Sequence, residues 1–566
     1  MRGKKSFLLM IALVFILILS ACGNNGGGTQ KTASGTGSDK TSATDSSQGS
    51  DTGQSSEENM KPQNGGSLVV GSIGSPTTFN AYYITDVPSQ EVANFIFNGL
   101  TTVNKKNEPV GDLAKSWDIS DDGLTYTFHL QKGVKFQDGK PMTSADVVFS
   151  YNIPRSKDYT GPRASAFEWI KSIKAPDKYT VKITLKRPYA PFLVETATYP
   201  ILPKHLLKDV SIKDMAKAKF NTKAPVGTGP YKFVEWKDGQ YVKLTANKNY
   251  FKGRPHIDTL IYKIVPDPNS LLAQFKAGQV DMIAVQPQDI STAKQMVQQG
   301  KAKLKTYMGM SYTYLGYNLR NPLFKNKEVR QALTMSINRK AIVKSILNGQ
   351  GKVANSPGNP ISWAFNPDVP KFPYNPEKAK KILAKHGWKD TNGDGILDKN
   401  GKKFAFTIKT NQGNKTREQT ATVIQQELKK VGIKVTPKIV EWSAFIKQIE
   451  PPNFNFDAEL IGWSLGSDPD PTQIWGCNQI KKGLNNVAYC NKSIQPLIEK
   501  NTKIVDRQKR KEVLGKIKAQ IAEDQPYTFL YYPLDNIMYT PKLHNVKSNS
   551  VGQYYHIYEW WLEQGK

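Results

Sequence analysis

Thirteen consecutive apolar residues occupy positions 7–19, and the forty-two positions that follow Cys22, 23–64, hold no aromatic residue and only Ala33, Ala43 and Met60 as apolar ones. The pattern then becomes periodic. Leu68, Val69 and Val70 form a short apolar run, and Tyr126, Phe128 and Leu130, then Val181, Ile183 and Leu185, alternate with polar residues. That is the period of half-buried strands, punctuated by turns at Asp122-Gly123 and Asp138-Gly139. Beyond residue 320 the period turns helical. Asn326 caps a helix presenting Val329, Ala332 and Leu333, and Asn338 opens another that carries Ile342 and Ile346 and stops at Gly349. Asn375-Pro376 opens a third, with Ile382 and Leu383 inward and Gly387 closing it. A strand is expected at 456–461. Alternating strands and helices predict an α/β layer architecture. No repeat of fixed period is present, and the boundary signals are the loop cluster at 221–230 and the aromatic stretch at 312–318.

The apolar run at 7–19 is preceded by Arg2, Lys4 and Lys5 and followed by small residues, the order of a secretory signal peptide. Spanning a bilayer takes ~20 apolar residues, more than this run offers. It ends in Leu19-Ser20-Ala21-Cys22, which resembles the bacterial lipobox and makes Cys22 the expected lipid-bearing mature N-terminus. Segment 23–64 buries too little apolar surface to offset its ordering entropy. As a flexible coil it reaches ~35 Å, at about 5–6 Å times the square root of its length. It reads as a tether above a membrane.

The remaining five hundred or so residues suffice for two or three domains. The formal charge of +30, or +27 without Arg2, Lys4 and Lys5, raises the question of nucleic acid. Lysines are dispersed along the chain among acids, which indicates a solvated surface rather than a binding stripe, and export argues further against such a partner. Cys477 and Cys490 remain in an oxidising compartment, and a disulfide between them is expected. Closing that loop contributes about 3 kcal/mol in the chain-entropy description.

Leu113-Ala114-x-Ser116-Trp117, then Asp122-Gly123-x-x-Tyr126-x-Phe128-x-Leu130, then Gly133-Val134-Lys135-Phe136-x-Asp138-Gly139-x-Pro141-x-Thr143-x-x-Asp146-Val147 follow one another at fixed spacings. This resembles the signature of the peptide and nickel class of extracellular solute-binding proteins. Further blocks are Pro225-Val226-Gly227-Thr228-Gly229-Pro230-Tyr231 with Trp236 and Tyr250, Val329-Arg330-Gln331-Ala332-Leu333 with Asn338-Arg339, and Tyr374-Asn375-Pro376-Glu377-Lys378-Ala379. The resemblance covers the chain from residue 65 onward. It implies a two-lobed flytrap of α/β class with an extra inserted domain, hinged at 314–318 and 529–533, with the ligand between the lobes. The implied domains are a signal peptide at 1–21, lipidated Cys22 and tether at 22–64, a first lobe from 65–100, 222–315 and 535–566, an inserted domain at 101–221, and a second lobe at 316–534.

The expected ligand contacts are Thr77, Tyr314, Asn318, Gly462, Trp463, Ser464 and Asp468. In the peptide receptors of this class a glycine-tryptophan pair, here Gly462-Trp463, offers main-chain groups to the peptide, and an aspartate three residues after the tryptophan pairs with the ligand's α-amino group. This sequence has Gly466 at that position and its first carboxylate at Asp468. Either the loop bends so that Asp468 serves, or the terminus is not gripped and longer peptides fit. Tyr82, Tyr83, Tyr312, Tyr314, Trp463, Trp475, Tyr531 and Tyr532 supply rings that are mostly core, a few of them suited to permissive side-chain pockets.

Two other motifs compete. Gly462-Trp463-Ser464-Leu465-Gly466 has the form of a G-x-S-x-G nucleophile elbow, with Asp524 and His544 following in hydrolase order. That reading requires a helix directly after Ser464, which Pro469 and Pro471 oppose. Asp390, Asn392, Asp394 and Asp398 are spaced as in a calcium loop, but Gly401 stands where a bidentate glutamate belongs. A polar turn before a strand at 404–408 is the alternative. The expected function is therefore capture of peptides, delivered to the permease of an ABC importer by a monomeric, lipid-anchored protein without cofactor or catalysis. The alternatives are nickel chelates or oligosaccharides on the same fold, and a secreted serine hydrolase.

Overall fold

The structure, a computed structural model, describes residues 60–564 except Lys482. The expected signal peptide, Cys22 and nearly all of the tether lie outside the described residues.

Alternation is realised where the sequence shows it. Strand Thr125–Leu130 buries Tyr126, Phe128 and Leu130, and Thr180–Leu185 buries Val181, Ile183 and Leu185. With Ala114–Ile119 and Ile170–Asp177 they form a four-stranded antiparallel sheet. Gly123 and Gly139 take φ of +67° and +91°, the left-handed backbone their turns require. The buried face of this sheet shares one core with Leu68, Val70, Leu260 and Tyr262, so segment 101–221 packs on the N-terminal half of the main sheet.

That main sheet has twelve strands. Ser67–Ser72 runs parallel to Thr259–Ile264 and Met282–Ala284, and Tyr241–Ala246 and Tyr231–Lys237 extend one edge. At the other end stand Ser311–Tyr317, Ala458–Ser464, Ala405–Asn411 and Lys434–Val440. Strand Tyr527–Tyr539 joins the two ends. At 13 residues it spans ~43 Å. Its first part pairs with Ser311–Tyr317, Gly316 facing Tyr527, and its second with Lys303–Met308, Met308 facing Leu534. The chain therefore passes between halves twice, side by side: at Gly309 and Met310, and at Tyr532 and Pro533. The first passage precedes the 314–318 segment expected from sequence, and the second falls within 529–533. A side chain at Gly309 would run into the Asp535 carboxylate, so the two crossing strands meet there without room for one.

The aromatic stretch at 312–318, a boundary signal in the sequence, is sheet interior just past the crossing at Gly309 and Met310. Tyr312 and Tyr314 face one core with Ile461 and Phe529, and Leu315 and Tyr317 face another with Leu460 and Ile408. Burial on both faces accounts for the near-continuous apolar and aromatic sequence. The helices begin where their caps predict: the Oδ1 atoms of Asn326, Asn338 and Asn375 accept from the backbone N–H of Val329, Ala341 and Lys378.

Candidate ligand-binding site

Strand Ala458–Ser464 pairs along its whole length with Ser311–Tyr317, setting Gly462 opposite Thr313 and Trp463 opposite Tyr312. On its other side it pairs with Ala405–Asn411 only at Ala458 and Glu459, where the strands diverge. Positions 461–464 thus have no ladder partner on that side among the described residues, while the Leu460 carbonyl accepts from Thr410 Oγ1 at 2.8 Å. A Cβ on Gly462 would sit 2.8 Å from the Tyr312 carbonyl oxygen and 3.2 Å from Arg417 Nη2. The half-buried Arg417 donates to Asn411 Oδ1 at 2.9 Å. Glycine is thus required by the close approach of its own sheet and of a guanidinium beside the open edge.

Trp463 donates from Nε1 to the Tyr527 hydroxyl at 3.3 Å and stacks on Tyr314, which stacks in turn on Tyr527 with centroids 3.8 Å apart. Tyr314 is fully buried and donates to Glu459 Oε1 at 3.0 Å. Burial raises the Glu459 carboxyl to about 8. Tyr314 is therefore committed to the interior rather than open to ligand. Asn318, also expected to touch ligand, donates to the Phe456 carbonyl and accepts from Arg320 N, and so braces a chain turn. Thr77 donates to Asp86 Oδ2 at 2.7 Å, and Asp86 caps helix Val87–Ile96 through Ser89 N. Ser464 is exposed at the strand end.

Asp468 accepts from Arg510 Nη1 at 2.6 Å and Nη2 at 2.5 Å, both side chains being 4% exposed. Both of its oxygens are engaged in this fork, so it is not the spare amine anchor that the sequence allowed.

The loop leading away from Ser464 meets the N-terminal half directly. Ser467 donates to Asn107 Oδ1 at 2.9 Å, Gln473 Nε2 donates to Glu195 Oε1 at 2.8 Å, and Arg163 Nη1 donates to Gln473 Oε1 at 2.9 Å. Nearby, Thr85 donates to Glu450 Oε2 and Arg187 to Thr502 Oγ1. Burial, then the charges of Asp470 and Asp468, raise the Glu195 carboxyl to about 7, and burial raises Glu450 to about 7. Sequence reasoning missed Arg163, Glu195, Glu450 and Gln473. They lie in unrelated segments, and no local spacing marks them.

The competing motifs do not assemble. After Ser464 the chain runs as a loop to the short helix Thr472–Trp475, so no helix backs an elbow. Asp524 accepts from the Tyr489 hydroxyl and Asn491 Nδ2, each at 2.6 Å, whereas His544 stacks on Trp561 in the Leu543–His544 and Trp561–Leu562 ribbon. Asp390 accepts from Gly393 N and Gly395 N, Asn392 from Asp394 N, Asp394 from Ile396 N, and Asp398 from Thr391 N. The loop's oxygens thus serve its own turns. No group of three or more His, Cys, Asp or Glu fit to hold a metal ion occurs among the described residues. Cys477 and Cys490 are bonded, with an S–S distance of 2.10 Å.

The model of the bacterial extracellular solute-binding proteins, family 5 Middle, matches residues 108–482. The chain belongs to this family. It is 46% identical over 570 residues to the oligopeptide-binding protein AppA of Bacillus subtilis (strain 168), covering 99% of this chain and 100% of that protein. The structure of Bacillus subtilis AppA in complex with a nonapeptide superposes with a TM-score of 0.87 at 48% identity, covering 89% of this chain and 100% of that one. NikZ from Campylobacter jejuni in complex with Ni(L-His) superposes with a TM-score of 0.80 at 30% identity, covering 87% of this chain and 99% of that one. The two-lobed α/β binding-protein fold is thereby established, with the extracellular setting of its family. These two structures hold ligands of different kinds, a nonapeptide and Ni(L-His).

Proposed function

We propose that this protein binds oligopeptides between its two lobes and delivers them to the permease subunits of an ABC importer. The observation that carries the reading is similarity over the full chain to an oligopeptide-binding protein whose structure with a nonapeptide has the same fold. The strand edge at 461–464, without a ladder partner and beside a glycine and an arginine, supports it: an extended peptide can add there as a strand, gaining sequence-independent main-chain bonds. Closure would strengthen those bonds by excluding water. The protein acts as a monomer without catalysis, held to the extracellular face of the membrane by lipid on Cys22.

Native mass spectrometry of protein purified without refolding, followed by calorimetry with a mixed-sequence nonapeptide, tests the reading. Co-purified peptides and saturable nonapeptide binding are expected. A co-purified nickel chelate or oligosaccharide, with no binding of peptides, would overturn it.

A further inference from the structure

Segment 101–221 packs on the N-terminal half, yet several of its residues bond directly to the other half. Asn107, in the turn between strands Thr101–Val103 and Pro109–Gly111, accepts from Ser467 Oγ at 2.9 Å. The Ala190 N–H donates to the Thr502 carbonyl at 2.7 Å, and Arg187 Nη2 donates to the Thr502 hydroxyl at 2.8 Å. The Gln473 carboxamide is held twice: Oε1 accepts from Arg163 Nη1 at 2.9 Å, and Nε2 donates to Glu195 Oε1 at 2.8 Å. One orientation of the amide satisfies both bonds, because a guanidinium has no acceptor to offer the amide nitrogen. A glutamate at 473 would be repelled by Glu195 and a lysine by Arg163. A neutral group with one donor and one acceptor is what this contact takes.

Each partner is fixed within its own half. Arg163 Nη2 donates to the Ile84 carbonyl at 2.5 Å, the Glu195 N–H donates to the Pro191 carbonyl at 2.7 Å, and the Glu195 carbonyl accepts from Thr198 Oγ1 at 2.8 Å. Gln473 stands in the first turn of helix Thr472–Trp475, where Asp470 Oδ1 accepts from Thr472 N at 3.1 Å and Thr472 Oγ1 at 2.6 Å. Leu484 N donates to the Gln473 carbonyl at 3.1 Å, and buried Trp475 packs on Tyr527 with ring centroids 4.7 Å apart. Making the contact therefore orders little beyond the amide itself, so its entropy cost is small.

We propose that Gln473 is a positioning residue for ligand retention: clamped between Arg163 and Glu195, its amide latches the second half onto segment 101–221 and sets how long a bound peptide stays enclosed. The donors and acceptors of this latch bond to one another, so it favours closure equally around every peptide and carries no sequence preference. A contact formed in the closed arrangement and broken in the open one shifts that equilibrium by its own free energy. Its loss acts on dissociation, which requires the halves to part, rather than on entry. Segment 101–221 is thereby a closing surface. The effect on residence rests on the peptide reading, whereas the latch rests on bonds within the protein.

Stopped-flow kinetics with two nonapeptides of unrelated sequence, together with hydrogen exchange of the ligand-free protein, test this. They are applied to the full mature protein, to Gln473→Ala and Arg163→Ala, and to the double variant, with folding checked by thermal melting. Dissociation of both peptides from Gln473→Ala is expected to quicken by the same factor, about tenfold for a lost hydrogen bond to charged partners, with association little changed. Adding Arg163→Ala should change dissociation little further, since the two side chains act through one contact. In the ligand-free protein, exchange of the Ala190 amide should quicken in Gln473→Ala while the protected amides of strand Thr125–Leu130 keep their rates. Unchanged dissociation would overturn the latch, and so would a change for one peptide alone, which would make Gln473 a ligand contact. If neither peptide binds the unsubstituted protein, the peptide reading falls and Ala190 exchange decides the latch, equal rates with and without Gln473→Ala overturning it.

Discussion

Asp468 and Arg510 grip each other through two hydrogen bonds of 2.5–2.6 Å in a setting that leaves 4% of either side chain exposed. Asn501 Oδ1 accepts from the same guanidinium at 3.2 Å, so the pair pins the loop after Ser464 to helix Arg507–Asp524. Asp468→Ala leaves Arg510 buried and uncompensated, and is expected to destabilise the protein by about 3–5 kcal/mol. Urea unfolding of the variant measures this. A loss below about 1 kcal/mol would show that the pair is solvated and that Asp468 is free for other work.

Gly462 is expected to tolerate no side chain. Its Cβ position meets the Tyr312 carbonyl oxygen at 2.8 Å and Arg417 at 3.2 Å, beside the edge on which a peptide strand would add. Gly462→Val should weaken nonapeptide binding by tenfold or more, or ~1.4 kcal/mol, in protein that still melts cooperatively. Calorimetry at fixed temperature reads the effect. Unchanged affinity would remove this edge from the binding surface.

Much of the frame was legible in the sequence. The alternation of Tyr126, Phe128 and Leu130 and the asparagine caps at 326, 338 and 375 depend on neighbours a few positions away, and each stands where expected. Helix Arg507–Asp524 was missed because its buried positions, Leu514, Ile517 and Ile521, are diluted by six lysines, arginines and glutamines elsewhere on the segment and by the buried polar Arg510 and Lys518. The site was less legible still. Tyr314 and Asn318 were drawn in by the resemblance, yet whether a tyrosine on a crossing strand faces a ligand or a core depends on what stacks on it, here Tyr527, more than two hundred positions away. Glu195 and Gln473 are brought together only by the packing of one half on the other, and no period or motif reports such a contact.

Cys22 lies outside the described residues, and its lipid is tested in cells. The lipobox-like sequence Leu19-Ser20-Ala21-Cys22 predicts that Cys22→Ala moves the protein from the membrane fraction to the medium. Immunoblotting of the two fractions measures this, and unchanged membrane association of the variant would refute the anchor.

The buried acids give stability a predictable dependence on pH. Glu459 ionises near 4.5 when exposed and at about 8 in the fold, so over that interval the unfolded chain sheds a proton that the folded one keeps. Stability from this group is complete below about pH 4.5 and is lost as pH rises towards 8. Glu91, raised to about 7 by burial, acts in the same direction. The melting temperature of ligand-free protein should therefore fall between pH 5 and 8, and Glu459→Gln should flatten the fall. An identical slope for the variant in scanning calorimetry would show that Glu459 is ionised in the fold.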